Sequence, residues 1–189
     1  MFVSAWAVMA ISVTTADGAD AGELATVAAA TFPLACADRV APQDIAAFIA
    51  AHLSEERFAE YLAAADRVIL TATVEGRIVG YAMLIRGPGH QSAVELSKMY
   101  VLPGHHGTGA AAALMQSGID WAARTGAESV WLGVNQHNDR AQRFYRKHGF
   151  DITGDRTFRL GNSTEHDYVM ARPLVNASSR EVARRYFLR

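Results

Sequence analysis

The sequence predicts a single mixed α/β domain, on three observations. Two β-branched runs, Val68–Val74 and Ile78–Ile85, flank the short turn Glu75–Gly76 and read as a hairpin. Amphipathic helical segments lie on both sides of it in the chain. A later strand runs through a glycine-rich connection directly into a helix. The composition fits: 189 residues, 50% apolar and 20% charged, with a formal net charge of −1, suffice for one buried core and exclude global disorder. There is no internal repeat and no linker.

Taken in order, Ile11–Thr15 is the first strand. A helix runs from about Asp20 to Phe32, with Leu24, Val27, Ala28 and Thr31 on one stripe and Pro33 limiting it. Pro42 sits at a first helical position, followed by Ile45, Phe48, Ile49 and Leu53 at helical spacing. Ser54–Glu55–Glu56–Arg57 opens another helix with Phe58, Tyr61 and Leu62 inward. After the hairpin and the loop Gly87–Pro88–Gly89, Val94–Val101 is a strand, Gly107–Arg124 a helix, Ser129–Val134 a strand and Asn138–His148 a helix. Phe150–Ile152 and Tyr168–Ala171 are two short last strands.

Several function classes are excluded at this level. No run of eighteen apolar residues appears, so no membrane span is expected. A pI near 6.6 argues against a nucleic-acid partner held by phosphate neutralisation. The single cysteine, Cys36, has no disulfide partner in the chain, and no zinc-type spacing exists, so no metal is expected. His105 and His106 are adjacent on a loop, point apart and lack a third ligand. The apolar stretch Met1–Val13 lacks the basic n-region of a signal peptide, the first basic residue being Arg39. Residues 1–8 are therefore read as an N-terminal extension, 9–174 as the domain, and the location as cytoplasmic. The basic tail 175–189 is a docking helix, a dimer element giving a homodimer, or frayed.

Charge is uneven. Residues 1–66 hold nine acids and two bases, a balance of −7, whereas residues 67–189 hold ten acids and sixteen bases, a balance of +6. Solvated helix faces explain this, and so does one pole for a cation and another for an anion.

The connection Pro103–Gly104–His105–His106–Gly107–Thr108–Gly109–Ala110 has the physics of a phosphate cradle. Closely spaced glycines let backbone N–H groups converge, and the helix N-terminus adds partial positive charge. A tight strand-to-helix turn uses the same glycines. No Lys–Ser/Thr follows, so it is not a Walker loop. Asn135–Gln136 stands where a dinucleotide fold needs an acid.

Val101–Leu102–Pro103 followed by Gly107–Thr108–Gly109–Ala110 resembles the acetyl-coenzyme A loop of the GCN5-related N-acetyltransferases. Asn138, Ala141, Phe144–Tyr145, Lys147 and Gly149–Phe150 are similar to a second signature of that family. One departure is Gly104, where the family has Gln or Arg. A narrower resemblance, to bacterial polyamine (spermidine/spermine) N-acetyltransferases, is carried by Trp131–Leu132–Gly133–Val134, Asn138, Phe144–Tyr145, Thr153–Gly154, Phe158, Gly161, Asp167 and Met170, and Thr31–Phe32 and the helical segment around Ile45 to Leu62 also fit it.

The resemblance implies a GNAT fold: a mixed sheet in which the fourth and fifth strands run parallel and splay apart, with flanking helices. It implies direct acetyl transfer from acetyl-coenzyme A to a primary amine. Pantetheine would bond to the backbone of Met99 and Val101 and to Asn138, and pyrophosphate would sit on His106, Gly107, Thr108, Gly109 and Ala110. Tyr145 would protonate the departing thiolate; a core tyrosine with its hydroxyl capped by backbone is the plainer reading. Asn138 also suits a helix cap.

An aliphatic amine has a pKa near 10, so a base or a water chain must take its proton. Glu95 matches the position of the family's glutamate base, and a carboxylate paired with Lys98 or an arginine fits equally. Strict alternation puts Glu95, Ser97, Met99 and Val101 on one face, with Lys98 and Tyr100 on the other. Arg140, Arg143, Arg146 and Lys147 form a solvated face or meet the 3′-phosphate, while Trp121 and Trp131 read as packing. Glu55, Glu56 and Glu60 are the candidate acidic wall for a polyamine. Two alternatives to that acceptor are a protein amine substrate and a non-enzymatic acetyl-coenzyme A sensor.

Overall fold

Seven strands join in one sheet in the order β1-β2-β3-β4-β5-β7-β6 in the computed structural model, which describes residues 10–36, 40–87, 92–161 and 163–174. The proposed extension 1–8 and the tail 175–189 lie outside the described residues. The strands are β1 (Ser12–Thr15), β2 (Arg67–Val74), β3 (Arg77–Arg86), β4 (Ala93–Val101), β5 (Ser129–Asn135), β6 (Asp151–Leu160) and β7 (Ser163–Pro173). Every neighbouring pair is antiparallel except β4 and β5. The helices are α1 (Ala21–Thr31), α2 (Pro42–His52), α3 (Glu55–Ala63), α4 (Ala110–Arg124) and α5 (Asp139–Lys147). The expected mixed α/β architecture is therefore present.

Local signals explain the helix starts. Pro42 is the first residue of α2, where its missing N–H costs nothing. The Ser54 side chain accepts from the Arg57 N–H at the start of α3, and Asn138 accepts from Ala141 at the start of α5. α4 begins at Ala110, later than the expected Gly107, because Gly107 (φ 80°) and Gly109 (φ 99°) are left-handed and cannot continue a right-handed helix.

The last two strands are far longer than expected and form one hairpin. β6, with the sequence DITGDRTFRL, is exposed along its length until Leu160. It carries no period-2 apolar pattern, and it exists because β7 pairs with it from Asp151↔Ala171 to Leu160↔Ser163.

The core has two parts, one on each face of the sheet. On one face α4 sets Leu114, Met115 and Ile119 against Leu84, Leu96 and Val130. On the other, Leu24 and Val27 of α1 and Phe58 of α3 cover Ile69, Tyr81 and Met83. Phe58 stands edge-on to Tyr81, with centroids 5.4 Å apart.

Candidate active site

β4 and β5 pair at Ala93↔Ser129, Val94↔Val130 and Glu95↔Trp131, and no further. Beyond that point they diverge, as expected, and leave two strand edges facing a gap. On its other side β4 stays bonded to β3, and Leu102 donates to Val79 at 2.8 Å. Alternation of an antiparallel ladder then turns the backbone groups of Tyr100 toward β3 and those of Met99 and Val101 toward the gap. The Val101 carbonyl accepts from the His106 ring Nε2 at 2.8 Å. The Val101 N–H and both Met99 groups are left for a ligand strand of amides such as pantetheine.

The glycine loop closes one end of this gap. His106 donates its own backbone N–H to Pro103 at 3.1 Å, and Thr108 donates to His105 at 3.5 Å. Anion donors are therefore Gly107, Gly109 and the first turn of α4 from Ala110, whose N–H groups have no intrahelical acceptor. A Cβ at Gly107 would meet no atom within 4 Å, so the loop is open on the ligand side. These features fit the pyrophosphate of a coenzyme A. Gly109→Glu is expected to abolish acetyl-coenzyme A binding, through strain at φ 99° and a negative charge in the cradle. Calorimetry on a folded variant checks it, and unchanged affinity would remove the loop from the site.

Two clefts meet at the gap. One, of about 210 Å³, runs from His106 and Arg140 past Phe144 to Tyr145. The other, of about 510 Å³, is lined among others by Phe32, Phe48, Lys98, Arg156, Glu165 and Asp167. Ala35, Met99, Tyr100, Asn138, Ala141 and Tyr145 line both. The Asn138 side-chain oxygen is committed to its helix cap at 3.0 Å, which leaves the amide NH₂ as its free donor. Tyr145 stacks edge-on against Phe144 and Phe150. Burial pushes its phenol up to about 12, so it is protonated at any working pH.

One expectation is corrected by a β-bulge. Met83 faces Lys98 and Leu84 faces Leu96, so Ser97 is an extra residue in β4. The alternation flips there. Glu95, opposite Ile85, shares the face of Lys98 and Tyr100, not that of Met99 and Val101. The apolar steps Val94, Leu96, Met99, Val101 carry the signal, since Leu96 to Met99 is three residues where two are needed.

Glu95 consequently stands on the face of Lys98 and Tyr100, 3.8 Å from the Arg156 guanidinium, though it does not line the larger cleft. Arg156 also meets Asp167 at 3.4 Å and lies over Trp131 at 5.7 Å from the ring centroid. Gly133 makes this placement feasible, because a Cβ there would collide with the guanidinium. Asp167 is 5% exposed, and burial raises its carboxyl from its ordinary value despite Arg156. Glu165, 2% exposed, accepts from the Asn135 amide at 2.9 Å. Lys98 reaches toward Tyr61, 5.5 Å from that ring, and burial lowers its ammonium.

Sequence reasoning missed Arg156, Glu165 and Lys98 as cleft residues, since the β6–β7 hairpin that brings the first two had no apolar pattern. Glu55, Glu56 and Glu60 are not in the cleft: they are exposed on α3, and Glu60 is held by Arg57 at 2.6 Å. No His, Cys, Asp or Glu cluster suited to a metal occurs among the described residues. No described helix is long and apolar enough to cross a membrane.

The splayed parallel pair, the glycine cradle and two clefts joined at a tyrosine define an acyl-transfer class of fold. Residues 36–150 match the model of the acetyltransferase (GNAT) family. A relative named an uncharacterized N-acetyltransferase, from Mycobacterium bovis, is 65% identical over 156 residues, 82% of this chain and 99% of its own. Streptothricin acetyltransferase of Streptomyces lavendulae is 29% identical over 106 residues, 56% of each chain. The crystal structure of the PaiA N-acetyltransferase of Thermoplasma acidophilum, in complex with coenzyme A, superposes with a TM-score of 0.75 at 19% identity, over 88% of this chain and 100% of that one. The chain belongs to the GNAT acetyltransferase family. It is an N-acetyltransferase with acetyl-coenzyme A as cosubstrate.

Proposed function

We propose that the protein moves the acetyl group of acetyl-coenzyme A directly onto the primary amine of a small molecule, with both substrates bound at once. The observation behind this is that one set of residues, Met99, Asn138 and Tyr145 among them, lines both clefts. A thioester lying along the gap from the cradle would present its carbonyl carbon to an amine entering from the larger cleft. The neutral amine attacks that carbon, the C–S bond breaks, and the thiolate leaves beside Tyr145. A phenol near 12 does not hand its proton outright to a thiolate near 8.5, so Tyr145 stabilises it as a hydrogen-bond donor.

Proton removal from the amine is assigned to the carboxylates that share Arg156. Asp167 takes the proton in the cleft, and Glu95 holds the guanidinium from its other side. Pantetheine on Met99, Val101 and Asn138, and pyrophosphate on the amides of Gly107, Gly109 and the first turn of α4 from Ala110, complete the assignment. Cys36 lies in the larger cleft, but burial pushes its thiol up to about 11, which disfavours a thiolate and an acetyl-enzyme route. A cytoplasmic location goes with this small-molecule reading.

Turnover of acetyl-coenzyme A against a panel of amines and peptides, followed by thiol release, tests the proposal. Thiol release that requires the amine supports it; tight binding without turnover would make the protein a sensor. Among acceptors, spermidine and spermine rest on the subgroup resemblance and on the acids Glu165 and Asp167. The double replacement of Glu56 and Glu60 by Gln is expected to leave the KM for spermidine and for a monoamine equally unchanged. A selective rise for spermidine would bring α3 back into the acceptor site.

A further inference from the structure

Lys98 is a half-buried ammonium on the wall of the larger cleft, and among the described residues it has neither an ion-pair nor a hydrogen-bond partner. Its near neighbours are the face of Tyr61, at 5.5 Å, the Arg67 guanidinium over that same ring at 5.3 Å, and the Glu95 carboxylate, which attracts it without a direct ion pair. Arg67 is already neutralised by Asp66, at 2.8 Å and 3.0 Å. The other cation of the cleft, Arg156, is likewise engaged by Asp167 and Glu95. Among these cations Lys98 is the one without a direct ion pair or hydrogen bond among the described residues, at a site where desolvation makes its charge costly. The cleft also has an apolar part, with Phe32 and Phe48 stacked 4.5 Å apart, and Phe158, 38% exposed, lines it from β6 opposite Glu165.

Resting on the acetyltransferase reading above, we infer that the acceptor is an amino carboxylate with an apolar side group, and that Lys98 selects it by pairing with its carboxylate. Asp167 then faces the amine, Lys98 the carboxylate, and the phenylalanines the side group. A single ammonium matches a single carboxylate charge, whereas a polycation has no group to offer Lys98 and is repelled by it.

The test uses pairs that differ only by the carboxylate: L-leucine and isoamylamine, L-phenylalanine and phenethylamine, L-lysine and cadaverine, with spermidine alongside. In the wild-type protein, kcat/KM is expected to favour the amino acid of at least the two apolar pairs by about tenfold or more. Lys98→Met should collapse that ratio by slowing the amino acids far more than the plain amines, whereas Lys98→Arg should keep it. Equal turnover within the pairs, a preference for spermidine, or a ratio that survives Lys98→Met overturns the inference while the acetyltransferase reading stands. If no amine is acetylated, that reading fails instead, and calorimetry on the coenzyme A-loaded protein decides this one. Tighter binding of L-leucine than isoamylamine that is lost in Lys98→Met supports it, and equal binding ends it.

Discussion

Tyr145→Phe is expected to lower kcat by about 10²–10³-fold while acetyl-coenzyme A affinity stays close to wild type. The ring packs edge-on against Phe144 and Phe150, and those contacts survive loss of the hydroxyl, so the fold should not change. What disappears is one hydrogen-bond donor at the junction of the two clefts, where charge develops only as the C–S bond breaks. Rapid-quench kinetics separates chemistry from product release. A variant with full turnover in the chemical step would make Tyr145 a packing residue.

Asp167→Asn is expected to reduce kcat/KM by about 10²–10⁴-fold, the usual range for a positioned base. Burial raises the Asp167 carboxyl above its ordinary value, so in the wild type an activity limb should rise with pH as that proton leaves. The amide has no such proton, and that limb should vanish. Glu95→Gln should cost less, because Glu95 does not line the cleft and meets Arg156 at 3.8 Å. The pH profiles of both variants are the measurement. A wild-type limb in Asp167→Asn, or a larger loss in Glu95→Gln, would move the base away from Asp167.

The proposed cosubstrate half of the site was legible in the sequence because its information is local. Gly107 and Gly109 need left-handed backbone, Asn138 caps its own helix, and Tyr145 follows at helical spacing, all within one stretch of chain. The acceptor half depends on distant pairings. Asp167 meets Arg156 only through the β6–β7 hairpin, and β6 is too polar for its period to show. Charge totals misled for a related reason. The acids of α3 raise the negative balance of the N-terminal third, yet helical phase turns them to water, while the buried acids Glu165 and Asp167 come from the part of the chain with excess positive charge. The signal for the Ser97 bulge lay in the spacing of Leu96 and Met99, and an assumption of strict alternation passes over it.

That extra residue acts as a half-period phase change in the middle of a strand. Upstream, odd positions of β4 look toward α1 and α3 and even positions toward α4; downstream the parity is reversed. Glu95 and Lys98, an odd and an even position, thereby share one wall, and the segment after Ser97 keeps its own sequence rule. Inheritance of this site therefore depends on the count of residues in β4 as much as on their identity. In any alignment of β4, a gap placed two residues too early or too late would exchange the chemical wall for the packing wall without altering a single letter.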